Sequence, residues 1–526
     1  MIKAVFELAP CAEPESALAE MIKETVGRDI ALDGFEIRRR SVDARRGRAR
    51  FVYTADIRIA DKRDEAEAAF RLHGTVCEAE EEYSFPKPLR EPGARPVVAG
   101  FGPAGMFAAL CLAESGYKPI VLERGSPVDI RARDVEAFFS GGELDENSNV
   151  QYGEGGAGAF SDGKLNTLVK DRSFRGGYVL KKLVEAGAPP EILWLAHPHV
   201  GTDKLRPVVK NIRGRIIALG GEIRFGTPLE DIGVNALGEL EYIIAGGEKI
   251  KADALFLAVG QSAREVPEML YKRGAELERK PFSVGFRIEH PQGLINAAQY
   301  GAGEETRFLP PAEYKLFSHT ACGRTVYSFC MCPGGSVLAA ASERGKLVTN
   351  GMSLHSRAGA NANSAILCEV LPSDLPSSGL FAGYEWRGSL EKAAYELGGG
   401  GFTAPAQLLG EYLKGERAVP AAAPTYPRGV RPCDVSRLFA PQMNVAFRQA
   451  FAEFGRKVRG FDHPGALITA AETRTSSPVR VLRGADRQSN IKGVYPLGEG
   501  AGYAGGIMSA AIDGIKSAEE YVLQVQ

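Results

Sequence analysis

The chain has 526 residues, 44% hydrophobic and 25% charged, with a net charge of −1. That length calls for two or three domains, and near-neutral charge excludes a bulk attraction to nucleic acid or anionic membrane. No stretch is long and apolar enough to span a bilayer, Met1–Glu7 lacks the apolar run of a signal peptide, and eight scattered cysteines suit reduced thiols in a cytoplasm.

Residues 1–83 read as a small α+β domain. Ala4–Leu8, Phe35–Arg40 and Arg50–Ile59 suit strands, Pro14–Val26 carries Leu18, Met21, Ile22 and Val26 on one helical face, and Ala66–Leu72 suits a short helix. The arginine-rich stretch 38–50 has two readings: a nucleic-acid or anionic-partner patch, or a solvated hairpin face balanced by the acids at 64–67 and 78–82. The second is preferred, because charge runs are usually surface. Residues 84–96, with Pro86, Pro88, Pro92 and Pro96, form a stiff linker.

Residues 97–264 open on the most specific pattern of the chain. Val97–Ala99 is a buried-type strand, Gly100-x-Gly102-x-x-Gly105 follows, and a helix from about Ala104 to Ser115 leads to the strand Ile120–Leu122 and then Glu123. The glycines serve a tight turn, a close backbone approach to a pyrophosphate and close helix–strand packing; the helix N-terminus, opened by Pro103, offers free amides from Ala104 onward, and Glu123, followed by Arg124, is placed for a ribose diol. Arg131–Ser140 suits a helix. The loop Gln151–Leu165 reads as cofactor-facing through Gly155, Gly156, Ala157, Gly158, Ser161, Asp162, Gly163 and Lys164, since its interleaved residues are specific rather than low-complexity. Lys204–Leu219 forms an amphipathic helix turning into a strand at Gly220–Phe225, and Asp253–Gly260 is a buried strand ending in Ala258-x-Gly260. Together these extend one parallel sheet.

Residues 265–470 read as a substrate or cap domain of α+β type, with strands at Ser283–Ile288, Thr325–Met331 and Val337–Ala341 and helical spacing near 389–397 and 442–457. Cys330-x-Cys332 falls at a strand end, both side chains on the same side, with Cys322 nearby. Packing or pocket lining is preferred to disulfide chemistry there, because redox cysteines normally use C-x-x-C at a helix start. His355 is a proton-donor candidate or ordinary surface; Arg357, Asn361 and Asn363 line a pocket or satisfy turn backbone.

Residues 471–526 return to the first pattern. Glu472-Thr473-Arg474 comes first, and Arg474 is either a bidentate anchor for an acidic substrate or half of a structural ion pair. A strand into a turn at Gly493–Gly500 precedes the helix Ile507–Val522, which carries Ile507, Ala511, Ile515 and Ala518 on one stripe. Gly500-x-Gly502-x-x-Gly505 matches the fingerprint formally. Too few residues follow its helix for a second strand and acid, so the segment closes the chain against the first site.

The whole resembles the flavoprotein oxidoreductases of the glutathione-reductase type, in which one FAD spans two distant pieces of sequence. The resemblance implies an α/β fold: a Rossmann-like FAD-binding domain, a mixed α+β substrate/cap domain and the small N-terminal domain. It also implies that the fingerprint and Glu123 hold the ADP half, while Gly498, Glu499, Gly505, Gly506 and Ile507 hold the ribityl chain and ring. Gly498-Glu499 stands where that superfamily commonly has Gly-Asp, and Ala258-x-Gly260 is similar to its middle motif. More narrowly, GEGGAGAFSDGKLNT, FCMCPGG, NGMS, NANSA, ETRTSSPVR and YPLGEGAGYAGGIMSAAIDG resemble a bacterial family of FAD-dependent dehydrogenases over roughly residues 1–526.

The activity implied is hydride transfer between flavin N5 and a small organic substrate, with Arg474, Glu472, His355 and Arg357 as catalytic candidates and no metal. Lacking a second dinucleotide domain, the chain would take NAD(P)H only transiently. The alternatives are a flavin monooxygenase or enoyl-type reductase, an RNA-associated flavoprotein using residues 38–50, and a flavin-bound scaffold or redox sensor. A redox partner protein fits the first reading; a membrane does not.

Overall fold

The computed structural model of the chain describes residues 1–45, 49–78, 82–88, 94–301 and 303–524. Arg46–Arg48 of the arginine-rich stretch, residues 79–81 of the acidic run and Pro92 of the linker lie outside the described residues.

The first block comprises β1 (Ile2–Leu8), α1 (Pro14–Val26), β2 (Leu32–Asp43), β3 (Arg50–Ile59), α2 (Glu65–Arg71) and β4 (Thr75–Val76). Its antiparallel sheet has the order β2-β3-β1-β4. Alternation puts Ile2, Ala4, Phe6 and Leu8 on the face that meets Leu18, Ile22 and Val26 of α1. Three of the five described arginines of 38–50 are ion-paired: Arg38 with Asp56, Arg45 with Asp43, Arg50 with Glu7, while Arg39 is exposed. Arg40 instead ties the block to the next, its amide donating to the Trp194 carbonyl at 2.7 Å and its guanidinium 4.8 Å from the Trp194 ring.

The second block runs β5 (Val97–Ala99), α3 (Pro103–Glu114), β6 (Ile120–Leu122), α4 (Val128–Phe139), α5 (Arg175–Glu185), α6 (Thr202–Ala218) and β7 (Glu222–Arg224). It closes with β8 (Leu229–Val234), β9 (Leu240–Ala245), β10 (Glu248–Lys251) and β11 (Leu255–Leu257). The third opens with α7 (Glu265–Lys272), β12 (Leu277–Arg279), β13 (Phe282–Pro291), α8 (Gln292–Tyr300), β14 (Phe317–His319) and β15 (Thr325–Cys332). Then come β16 (Ser336–Ala339), β17 (Thr349–Met352), β18 (Asn361–Val370), α9 (Ala382–Leu397) and β19 (Ala404–Leu408). The block ends with α10 (Leu409–Lys414), β20 (Val430–Pro432), α11 (Pro441–Lys457), β21 (Leu467–Glu472) and β22 (Val479–Val481). The chain then returns through β23 (Val494–Pro496) and α12 (Ile507–Gln524).

The return completes a parallel sheet of order β23-β11-β5-β6-β7, so the last strand sits two places from the first fingerprint strand. Its strands are short, and β5, β6, β11 and β23 are buried on both faces, as helices on either side demand, while the edge strand β7 is half-buried. The third block centres on a sheet of order β14-β15-β18-β13-β21-β19-β20. One face of β13 is apolar: Phe286 packs on Phe447 and Phe451 of α11, ring centroids 4.6 and 5.9 Å away. The other face carries Arg287 and Glu289, both buried.

Helix α3 is apolar all round and lies between the parallel sheet and α12. Both contacts are made by backbone. A Cβ at Gly105 would lie 2.0 Å from the Gly100 carbonyl oxygen, and one at Gly514 of α12 would lie 2.1 Å from that of Ala104. Overpacking of this kind costs about 1–3 kcal/mol. The variant G514A should therefore show a lower urea midpoint at an unchanged slope; an unaltered midpoint would show that α12 yields without cost.

Candidate functional site

A cavity of about 400 Å³ opens at the carboxyl edge of the parallel sheet. Ala99 at the end of β5, Leu122 at the end of β6, Ala258 after β11 and Gly498 after β23 all reach it, the position at which this kind of sheet leaves room for a ligand. Two helix N-termini face the same space, α3 through Gly102, Pro103 and Ala104, and α12 through Gly505, Gly506 and Ile507. Each offers unpaired amides and a partial positive charge to an anion.

Glu123 also lines the cavity and is buried. Its carboxylate accepts the amides of Phe101 at 2.9 Å, Gly125 at 2.9 Å and Gly153 at 3.1 Å, so it fixes the glycine turn as well as facing the ligand space. Gly100 has φ +96°, and a Cβ there would lie 2.4 Å from the Ala258 carbonyl oxygen. Arg124 stacks on the Tyr152 ring at 4.6 Å.

The loop 151–165 is held from behind by Arg131. This fully buried guanidinium donates to the carbonyls of Asn149, Val150, Gly153, Glu154 and Gly156 at 2.7–3.1 Å, and burial pulls it down to about 10. Gly156, Ala157, Gly158, Ser161, Asp162, Gly163 and Lys164 line the cavity, as do Gly260 and Glu499. Two expected positions do not. Gly105 serves the helix contact, and Gly155 turns toward Ala159 and Val209.

The four catalytic candidates each have partners within the protein. Glu472 and Arg474 lie on the cavity wall, yet Glu472 accepts both Nε and Nη2 of buried Arg287, at 2.8 and 2.7 Å. Arg474 meets both oxygens of Glu391, at 3.1 and 3.0 Å, together with Glu343 and Ser342. A guanidinium so occupied is the structural half of the alternative weighed for it. Arg357 lies behind the wall, donating to Asp162 and, at 2.7 Å, to Glu313. His355 is elsewhere: its Nδ1 lies 3.1 Å from the Val200 carbonyl and its ring stacks on His199. Asn363 and Asn361 sit deeper still, on Arg287 and Glu289.

Asp162 and Lys164 form an ion pair at 2.7 Å, with the Lys164 ammonium also on the Met331 carbonyl. Burial works to raise the Asp162 carboxyl, and the charges of Lys164 and Arg357 outweigh it, holding the group below its ordinary value. Glu499 goes the other way. Burial pushes it up to about 7 against the pull of Lys280 and Arg387.

Several contributors escaped the sequence reading. Gln261, directly after Gly260, donates to Glu499 at 3.0 Å and to the Arg474 carbonyl at 2.7 Å. Asp513 accepts the Gly498 amide at 2.9 Å and is clamped by Arg483 and Arg487. The one signal for it was an acid within the apolar stripe of α12.

The residues present fit a dinucleotide: a buried carboxylate beside a glycine turn, and two helix N-termini over one cavity where added Cβ atoms would collide. The family described as FAD-dependent protein, C-terminal domain-like, matches residues 281–475. With that match, fold and site define an FAD-dependent oxidoreductase. An uncharacterized protein of Clostridium beijerinckii is 45% identical over 509 residues, covering 95% of this chain and 93% of the relative. The chain belongs to the same family as that protein.

Among solved structures, the L-proline dehydrogenase of P. horikoshii covers 83% of this chain and 95% of its own, at 12% identity and a TM-score of 0.35. A geranylgeranyl bacteriochlorophyll reductase-like protein of Thermoplasma acidophilum covers 81% and 78%, at 12% identity and 0.35. CtdE in complex with FAD covers 81% and 83%, at 12% and 0.31.

Two outcomes check the site. Losing a charged acceptor costs about 1.5–3 kcal/mol, so E123A should weaken FAD binding by about ten- to a hundredfold, measured by flavin fluorescence on release; unchanged affinity would remove Glu123 from the site. Glu499 has a folded pKa near 7, above the value of about 4.3 for an unfolded chain, so the folded form keeps a proton that the unfolded chain has lost. Stability should therefore fall as pH rises from about 4.3 to 7, and E499Q should flatten that slope in Tm against pH; parallel curves would contradict the shift.

Proposed function

We propose that the chain transfers a hydride between the N5 of bound FAD and a small organic substrate, on the two-piece cofactor layout of the glutathione-reductase type. The observation that carries this reading is the convergence of both helix N-termini and Glu123 on one cavity whose far wall belongs to the seven-stranded sheet. When bound, FAD supplies two-electron chemistry at N5.

The chain's own residues position and charge-balance that chemistry. The Gly505-Gly506 end of α12 offers amides to a developing negative charge. Glu499 is the cavity carboxyl able to hold a proton near neutral pH, with Gln261 fixing one of its oxygens. Asp162 and Lys164 on the cavity wall and Arg357 and Glu313 behind it balance in charge. This supports an uncharged or weakly charged substrate over the acidic one that Arg474 would have anchored.

NAD(P)H, as a donor, enters the same cavity transiently, and a redox partner protein is the alternative donor or acceptor. The pairing of Arg38, Arg45 and Arg50 with local acids favours a solvated surface over the RNA reading. Among the described residues no helix is long and apolar enough to cross a membrane; we place the activity in the cytoplasm.

Anaerobic titration with NADPH and NADH, followed by visible absorbance, tests the reading. Bleaching by one of them establishes a reductase, and rapid reoxidation with hydroxylated product or peroxide would make it a monooxygenase. Bleaching only by an organic substrate or a redox protein establishes a dehydrogenase. A colourless chain that cannot be reconstituted with FAD would overturn it.

A further inference from the structure

Among the described cysteines, Cys330 is the one that lines the cofactor cavity. It sits where β15 breaks. The register of β15 on β18 shifts between Phe329 and Cys332, and Cys330 has φ +43°, left-handed for a residue with a side chain. In a regular strand, a rise of about 3.3 Å per residue sets Cα atoms two residues apart at roughly 6.6 Å. That is the upper end of the range of about 4.4–6.8 Å that a disulfide spans. A bulge bends the strand locally, so C-x-C chemistry here is not held to the regular-strand separation.

The two thiols stand in different surroundings. Cys330 is partly exposed to the cavity and Cys332 is fully buried, with its Sγ 3.3 Å from the Cys330 carbonyl oxygen, folded back toward its neighbour. Arg287 donates to that same carbonyl at 2.9 Å and lies 4.0 Å from the Cys332 sulfur. Lys164 reaches the intervening Met331 carbonyl. The Cys332 thiol, ahead of the Arg287 and Lys164 charges, holds Cys330 down at about 6 despite burial, whereas Cys332 itself is held up. Burial, with the charge of Arg324 opposing it, pushes Cys368, in the same sheet, up to about 12. A thiolate beside a thiol is the asymmetry that dithiol exchange uses.

We propose that Cys330 and Cys332 form a redox pair that exchanges two electrons with bound FAD. The proposal rests on the cofactor assignment above. Oxidation joins the Cys330 thiolate and the Cys332 sulfur in one S–S bond and breaks the Cys332 S–H bond. Two electrons pass to FAD, which takes up the Cys332 proton and one from solvent to become FADH2; the reverse restores thiolate and thiol. Cys330, open to the cavity, is the point of attack for an external thiol or disulfide, and Cys332 resolves it.

The test is anaerobic dithionite titration of the air-reoxidised holoenzyme, with alkylation and peptide mapping of the oxidised and reduced forms. Wild type should take up four electrons per FAD, the C330S and C332S variants two, and C368S four. The peptide spanning the pair should resist alkylation when oxidised and take two labels when reduced. Two-electron uptake by flavin-bearing wild type, or two labels in its oxidised form, would overturn the pair while leaving the cofactor assignment standing. Absent flavin absorbance would instead defeat both. Should either serine variant lose its flavin, wild-type uptake and mapping decide the matter alone.

Discussion

The site depends on a backbone approach that side chains would forbid. Helix α3 meets the fingerprint turn at Gly105 and α12 at Gly514, with no room for a Cβ at either place. Because both contacts are that close, the N-termini of α3 and α12 are brought to the same cavity, although some 400 residues of chain separate them. Two partial positive ends aimed at one space repel each other until an anion lies between them. The same geometry that builds the cofactor site therefore leaves the empty protein less stable than the loaded one, and cofactor binding and folding are linked.

The opposite wall is built from buried charge. Arg287–Glu472, Arg474–Glu391 and Arg357–Asp162 each have both side chains at most 5% exposed. Pairs so deep gain little net stability, since desolvation offsets the attraction, but removing one partner strands the other. What they supply is position. Arg287 joins β13 to the end of β21 and to the Cys330 carbonyl, and Arg357 fixes the Asp162–Lys164 corner of the glycine loop. Polar groups held this way face the cavity without being free to bind in it.

The fingerprint, Glu123 and the α12 stripe were legible because each is set by spacing within about 25 residues. The candidates in 355–474 were not, because their partners come from elsewhere: Glu472 from β13, Arg474 from α9, Arg357 from the loop at 162. A sequence shows that an arginine is present and not that two acids already occupy it. Gly155 and Gly156 look alike in a glycine-rich run, yet one packs on Val209 and the other faces the cavity. Cys330 was placed by strand alternation, which a bulge interrupts. Gly514 lay hidden in an otherwise regular apolar helix.

Glu499 brings the two walls together. Its carboxyl follows β23 on the flavin-binding side, and Gln261 connects it to the Arg474 carbonyl and, through its own oxygens, to Arg387 of α9. The charges of Lys280 and Arg387 favour the ionised form, and burial still prevails. An added negative charge in the cavity raises the group further, and loss of that charge releases it. On the proposed function, a carboxyl balanced near neutrality and walled by fixed cations would take up a proton as electrons arrive and give it back as they leave, coupling the charge state of the cavity to proton movement without any group having to change place.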